Sequence, residues 1–280
     1  MTALEDGVLG RIEFLADADR PGGWLLTVDR IRQSYVDLDD PTYLDFEYVQ
    51  VFGDLLDLLA PGPLAVTHVG GGACTLARYV ARTRPGSTQI VLEPDEALTA
   101  QVRGRLPFGR DVRVRIRPVD GRSGIAALRK ASADVVVLDA FHGGRVPPEL
   151  TSREFVIQAA RVLRPDGVLL VNVADGPPVR FTRRLVNTIR LGLPEVLAVA
   201  DPAVVKGRRF GNVVLIASRR ALPADDLRRA AARAPFPRVV HSGPQLVQFA
   251  GGAPVLTDAD PMRSPEPPDA LWRVGECDDD

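Results

Sequence analysis

Three consecutive glycines, Gly70-Gly71-Gly72, follow an apolar run that begins Leu64-Ala65-Val66 and precede the helical-looking stretch Thr75-Leu76-Ala77-Arg78-Tyr79-Val80-Ala81. About twenty residues on, a second apolar run, Ile90-Val91-Leu92, ends in Glu93. Glycines after a strand let the backbone pass close to a ligand with no Cβ in the way. A carboxylate at the end of the next strand can accept hydrogen bonds from both hydroxyls of a ribose. Strand, glycine turn, helix, strand and acid is the arrangement by which α/β folds hold a nucleoside. A glycine triplet alone would also serve as a tight βα turn, and it is Glu93 at this distance that points to a ligand. The glycines are consecutive and not spaced G-x-G-x-x-G, which disfavours an NAD-type oxidoreductase.

The elements around this motif define the fold class. Short β-branched runs at 64–69, 89–92, 112–116, 134–138, 167–173, 195–200 and 211–217 alternate with helical segments at 73–83, 95–104, 122–130, 151–163 and 179–191. Continuous apolar strands between helices predict an α/β protein with a seven-stranded, mostly parallel, Rossmann-like sheet whose last strand is antiparallel. Leu163-Arg164-Pro165-Asp166-Gly167 reads as a turn before the fifth strand. Ahead of this core, Trp24-Leu25-Leu26-Thr27-Val28 and Ile31-Arg32-Gln33-Ser34-Tyr35-Val36 predict a small N-terminal β-unit, followed by a helix over 46–59. The organisation expected is residues 1–60 as that unit with its linking helix, 61–220 as the nucleoside-binding domain, and 221–280 as a helix over 224–233 and a poorly ordered Pro- and acid-rich tail.

Composition bounds the partners. The chain has 280 residues, 45% of them hydrophobic and 25% charged, with a net charge of −1, which gives no support for a nucleic-acid partner. Two lysines among 35 basic residues reflect compositional bias towards arginine more than a phosphate patch. Cys74 and Cys277 allow neither a disulfide framework nor a metal spacing, and no metal is expected. No leader-like or membrane-length apolar stretch is present, so a cytoplasmic protein with no membrane partner is expected.

With these residues in place, the chain resembles the spermidine-synthase-like (polyamine aminopropyltransferase) branch of the class I methyltransferase-fold enzymes. The resemblance covers about residues 30–218. It is carried by Gln33-Ser34-Tyr35, Gly70-Gly71-Gly72, Glu93-Pro94-Asp95, Val119-Asp120-Gly121-Arg122 and Val137-Leu138-Asp139, in that order and spacing. Pro254-Val255-Leu256-Thr257-Asp258 is also similar to the tail of bacterial members. The resemblance implies a sulfonium nucleoside co-substrate, S-adenosylmethionine or its decarboxylated form, and an amine-type small-molecule acceptor, as in polyamine biosynthesis, with room for a homodimer. Gln33 would contact the donor, Gly70, Gly71 and Gly72 would border its sulfonium end, and Glu93 would hold the ribose. Asp120 and Gly121 would meet the adenine, and Asp139 would face the acceptor amine as the catalytic base. Asp120 would serve equally well as a helix N-cap, and Asp139 as a turn residue before Ala140-Phe141-His142-Gly143-Gly144.

Two positions depart from the family pattern. An Asp normally follows the glycine triplet and pairs with the donor's ammonium, and here that residue is Ala73. A second Asp normally stands three residues after the first on the acceptor loop, and here it is His142. Loss of the carboxylate at 73 would make the pocket more tolerant of ordinary S-adenosylmethionine. Three readings therefore stand at this stage: an aminopropyl or alkyl transferase, a small-molecule methyltransferase, and a non-catalytic nucleoside-binding protein. The remaining candidates have simpler roles. His68 reads as a core histidine and His142 as a loop residue able to act as a base near neutral pH, while nothing gives His241 a role. Glu154 reads as part of a capping box with Thr151 or Ser152. Asp37, Asp39 and Asp40, near Tyr35 and Tyr43, read as a solvated acidic loop.

Overall fold

The computed structural model describes residues 6–7, 10–109, 112–268 and 274. Cys277 and most of the C-terminal tail lie outside these residues. The chain opens with β1 (Asp6–Gly7), β2 (Gly10–Ala16), β3 (Gly23–Val28), β4 (Ile31–Asp37) and helix α1 (Glu47–Leu58). The alternating part follows as β5 (Ala65–Val69), α2 (Thr75–Thr83), β6 (Thr88–Leu92), α3 (Glu96–Arg105), β7 (Val114–Arg117), α4 (Gly121–Ala127) and β8 (Ala133–Leu138). After a 3-10 turn at Pro148–Leu150 come α5 (Arg153–Val162), β9 (Leu163–Asp175), α6 (Arg180–Arg190) and β10 (Glu195–Ala200). The last elements are α7 (Pro202–Val205), β11 (Gly211–Ser218), α8 (Ala224–Arg233), β12 (Val239–His241) and α9 (Gly243–Ala250).

The large sheet has the order β12-β10-β11-β9-β8-β5-β6-β7. Strands β5 to β9 pair in parallel, while β11 runs antiparallel to both β9 and β10. The central strands are apolar on both faces because both are covered. Along β8, Val135 and Val137 join the cluster of Phe52, Leu55 and Leu56 from α1. Val136 and Leu138, on the other face, join Phe155 of α5 and Phe181 and Leu185 of α6. Parallel strands end at one edge of such a sheet, and ligands gather in the crevice outside those carboxyl ends. Gly70, Glu93 and Asp139 each follow the last residue of a strand at that edge.

The structure adds an eighth strand to the seven expected. Its short β12 pairs antiparallel with β10 over Val239, Val240 and His241, a stretch too brief to show a period. Strand β2, helix α7 and helix α9 were likewise not foreseen. The Pro-Gly stretch at 164–167, expected as a turn, is absorbed into β9 as an irregularity, with register shifting between Ala133 and Val135 of its partner. Ser152 caps α5 by accepting from the Phe155 amide (3.3 Å), and Glu154 instead accepts from the Asp258 amide (3.0 Å). That leaves no capping box, because the cap lies one residue later than the motif needs.

The N-terminal strands form their own antiparallel sheet, β1-β2-β3-β4. Its β3–β4 hairpin turns at Asp29 and Arg30, both at positive φ, the backbone twist that two-residue hairpins require. Asp29 stabilises the turn by accepting from the Arg11 amide (2.8 Å). The acidic cluster is less solvated than expected. Asp37 is buried, pairs with Arg20 (2.6 Å), and accepts from the amides of Asp39 and Asp40. Beyond α9 the chain runs back over the body as a strap. Leu256 is buried and Arg122 and Arg184 hold Asp258 and Asp260. Ser264 then accepts from the Val146 amide (2.9 Å). Among the described residues no helix is long and apolar enough to cross a membrane.

Candidate active site

The three parallel strands β6, β5 and β8 converge at the glycine turn. The Gly70 amide donates to the Leu92 carbonyl (3.0 Å), and the Asp139 amide donates to the Val69 carbonyl (2.9 Å). Gly70 has φ +97°, and a Cβ there would lie 2.2 Å from the Asp139 carbonyl oxygen. No other residue fits between these strand ends. Gly72, at φ +47°, would place a Cβ 2.4 Å from Ser34 Oγ, so the tip of the turn lies directly against β4. The turn then enters α2 through Cys74 in the left-handed conformation. Burial pushes the Cys74 thiol up to about 12, which leaves it unreactive near neutral pH.

Glu93 closes the turn from the other side. Its Oε2 accepts from the Gly71 amide (2.9 Å) and its Oε1 from the Asp95 amide (3.0 Å). Burial raises its pKa, and these amide hydrogen bonds oppose the rise. Each oxygen keeps a second lone pair. The carboxylate is thus held by the backbone while its outer face lines a cavity of about 1090 Å³.

Asp139 sits across that cavity, partly buried at the end of β8. Its Oδ1 accepts from Asn172 Nδ2 (2.9 Å), and Asn172 Oδ1 in turn accepts from Asn212 Nδ2 (2.9 Å). The Tyr48 hydroxyl, from the first turn of α1, donates to the same carboxylate. Burial raises Asp139 to about 6, with the Asn172 and Tyr48 hydrogen bonds acting in the opposite direction. Burial, reinforced by the nearby Asp139 charge, also drives the Tyr48 hydroxyl well above the usual phenol range. A carboxylate titrating near 6 can accept a proton at neutral pH and is a stronger base than an ordinary Asp. Sequence reasoning missed Tyr48, Asn172 and Asn212. The available signal was Asn172 itself, a polar residue inside the apolar run Leu169-Leu170-Val171-Asn172-Val173.

The other residues expected at the donor site border the same cavity. Gln33 and Ser34 reach it from β4, while Asp120 and Gly121 reach it from the start of α4. Asp120 is exposed and caps α4, accepting from the Ser123 amide (2.8 Å), and this hydrogen bond is the main reason its pKa falls. Gly121 is buried against Val69 and Leu150, where a Cβ would meet Val69 at 2.2 Å. His142 lies on the exposed loop after β8, bridged by backbone hydrogen bonds to Arg145, and also borders the cavity. His68 is buried inside β5, paired with Gln89 (2.9 Å), and burial lowers it to about 4. Among the described residues no cluster of His, Cys, Asp and Glu is placed to hold a metal ion.

This architecture has close counterparts among known proteins. A probable spermidine synthase from Corynebacterium glutamicum superposes with a TM-score of 0.85, at 30% identity, over 92% of this chain and 96% of its own. The chain belongs to the spermidine synthase family. A polyamine aminopropyltransferase from Chromobacterium violaceum is 27% identical over 193 residues, spanning 68% of this chain and 69% of the relative. The underlying fold is the methyltransferase one. Human methyltransferase-like protein 13, solved with SAH, matches it at a TM-score of 0.54 and 21% identity, over 67% of this chain and 90% of that one. No family model matches the chain.

Within the spermidine synthase family, the structure changes the meaning of one departure. Ala73 is fully buried, and its methyl belongs to a cluster with Ile12, Leu26 and Val36 of the N-terminal sheet and Leu98, Val102 and Leu106 around α3. It is absent from the residues that line the cavity. The expectation that Ala73 loosens the donor pocket is therefore corrected, because the N-terminal sheet covers that side of the turn. An Asp here would bury a charge among the aliphatic side chains of this cluster. Ala73→Asp should lower the melting temperature by several degrees and leave the ratio of donor affinities unchanged. Thermal melts and calorimetry read the two effects separately, and a stable variant with altered donor preference would overturn this placement.

Proposed function

We propose that the protein is a transferase that binds a sulfonium nucleoside and passes its aminopropyl or other alkyl group to an amine. The observation that carries this reading is that Glu93 and Asp139 face one cavity from the ends of the two strands that flank β5, on either side of its glycine turn. In this reading Glu93 accepts from the ribose hydroxyls, the first turn of α4 at Asp120 and Gly121 meets the base, and Gly70, Gly71 and Gly72 border the sulfonium. Gln33 contacts the donor from β4. The neutral amine attacks the carbon bonded to sulfur, the carbon–sulfur bond breaks, and its electron pair stays on sulfur. Asp139 takes the proton lost by the new ammonium, with Tyr48 and Asn172 fixing the carboxylate. Decarboxylated S-adenosylmethionine and S-adenosylmethionine are both candidate donors. The methyltransferase alternative rests on Ala73 and on His142 in place of a second Asp, and with the Ala73 methyl under the N-terminal sheet it keeps only the second of these. A purely nucleoside-binding role leaves the raised Asp139 and its three-residue hydrogen-bond chain without a purpose.

Loss of the Glu93 carboxylate should weaken nucleoside binding. Glu93→Ala is expected to reduce methylthioadenosine affinity at least about tenfold, since charge-assisted hydrogen bonds contribute about 1.5–3 kcal/mol. Calorimetry showing unchanged affinity in the folded variant would exclude Glu93 from the ribose site.

Asp139 should set the pH dependence. Turnover is expected to rise as pH passes through about 6, where Asp139 ionises, and to level off above. Because folding raises this pKa above 3.8, the charged form is disfavoured in the folded protein. The resulting loss of stability is absent below about pH 3.8 and complete above about pH 6. Asp139→Asn should therefore melt at the same or a higher temperature near neutral pH. It should also lose on the order of a hundredfold or more in turnover with nucleoside affinity retained. A variant that melts much lower while its folded fraction keeps full activity would make Asp139 a turn residue.

A further inference from the structure

The loop that follows Asp139 walls one end of the cavity with Phe141, His142, Gly144 and Arg145. Its own backbone does little to fix its shape. Gly143 and Gly144 both take positive φ (+56° and +74°), and a Cβ on Gly143 would meet nothing within 4 Å. The backbone pair between His142 and Arg145 (2.8 and 3.1 Å) closes a turn on itself and ties it to no other element. Val146 is buried in the core and anchors the far end.

The outer hold on this loop comes from the C-terminal strap, 118 residues away in sequence. The strap is first fixed to the body. The Leu256 amide donates to Thr188 Oγ1 (2.8 Å), and the Leu256 carbonyl accepts from the Arg153 amide (2.8 Å). Arg122 and Arg184 then hold Asp258 and Asp260. Residues 258–261 are exposed and add little to the core. Beyond them the chain turns in against the loop. Ser264 is 1% exposed, and its Oγ accepts from the Val146 amide (2.9 Å). Pro267 is buried beside Gly144, where a Cβ would lie 2.6 Å from its ring. Glu266 pairs with Arg145, and Arg263, just ahead of these contacts, borders the cavity itself. A buried amide left without an acceptor is costly. Loss of the Ser264 hydroxyl therefore favours a shifted loop in which the Val146 amide meets water.

We propose that Ser264 and Pro267 are positioning residues for the acceptor amine, acting through the loop after Asp139 and taking no part in holding the nucleoside. This rests on the reading of Asp139 as the acceptor end of the cavity. The donor side is held by other means. Glu93 is fixed by the Gly71 and Asp95 amides, and Asp120 by the Ser123 amide. The strap's link to that side, Asp258 with Arg122, lies upstream of Ser264 and is untouched by a change there. Acceptor use thus depends on a segment distant in sequence from every strand end of the site, and donor binding does not. The dependence is steep, because displacing a positioned group by about 1 Å can cost on the order of a hundredfold in rate.

Steady-state kinetics on the full chain test this, with decarboxylated S-adenosylmethionine as donor and propane-1,3-diamine, butane-1,4-diamine or pentane-1,5-diamine as acceptor. The diamine that the parent uses fastest serves for the variants, and calorimetry with methylthioadenosine reports the donor side alone. Ser264→Ala should lower kcat/KM for the diamine at least about tenfold, with the donor KM and the methylthioadenosine affinity unchanged. Pro267→Ala, which only thins the contact with Gly144, should move the same parameter in the same direction and covers the case in which Ser264→Ala does not fold. Unchanged diamine kinetics in the folded variants would overturn the proposal. So would a parallel loss of diamine kinetics and methylthioadenosine affinity, which is what a merely structural strap would give. A parent that binds methylthioadenosine but turns over none of the diamines removes the acceptor reading, and this inference with it, before any variant is made.

Discussion

The contact between Gly70 and the Asp139 backbone is the constraint around which the site is arranged. Two parallel strands end so close together that only a residue without a Cβ fits at Gly70, 2.2 Å being all that a Cβ would have. That closeness puts the glycine turn, the end of β6 and the end of β8 into one crevice. Glu93 then fixes the turn by accepting from the Gly71 amide, and Ser34 limits it from the N-terminal sheet. The glycine turn and Glu93 are consequently held by backbone, and their positions depend little on side-chain freedom.

Asp139 is tuned differently. Its elevated pKa comes mainly from burial, while the Asn172 and Tyr48 hydrogen bonds keep the charged form accessible. Asn212 orients the Asn172 amide by donating to its oxygen, so the NH2 group faces Asp139. The result is a carboxylate that is held in place and yet basic enough to exchange a proton near neutral pH. The same carboxylate lies between two unlike walls: the backbone of the glycine turn on one side, and on the other a surface where Arg209 pairs with Asp201 and Arg238 with Asp54.

Much of this was legible in the sequence because it depends on local pattern. The runs Ile90-Val91-Leu92 and Val135-Val136-Val137-Leu138 could only be buried parallel strands, and the residues that follow them, Glu93 and Asp139, had to emerge at the ligand edge. The elements that escaped are those with little local signal. Val239-Val240-His241 is three residues between Pro237 and Gly243, and it becomes a strand only because β10 offers it an edge. Tyr48 and Asn172 are more than a hundred residues apart and lie inside ordinary helix and strand patterns, and only the folded chain brings them to one cavity. Ala73 shows the converse. Its position in the family motif could be read from the sequence, but the direction of its methyl was set by a sheet whose strand β2 the sequence did not reveal.

The central claim is that one cavity holds a nucleoside on Glu93 with its sulfur directed towards Asp139. A crystal structure with methylthioadenosine bound tests it most directly. The account predicts both ribose hydroxyls on the Glu93 carboxylate, the base against the first turn of α4, and the sulfur between the glycine turn and Asp139. A nucleoside bound outside this crevice, or one that leaves Glu93 without ribose contact, would contradict it.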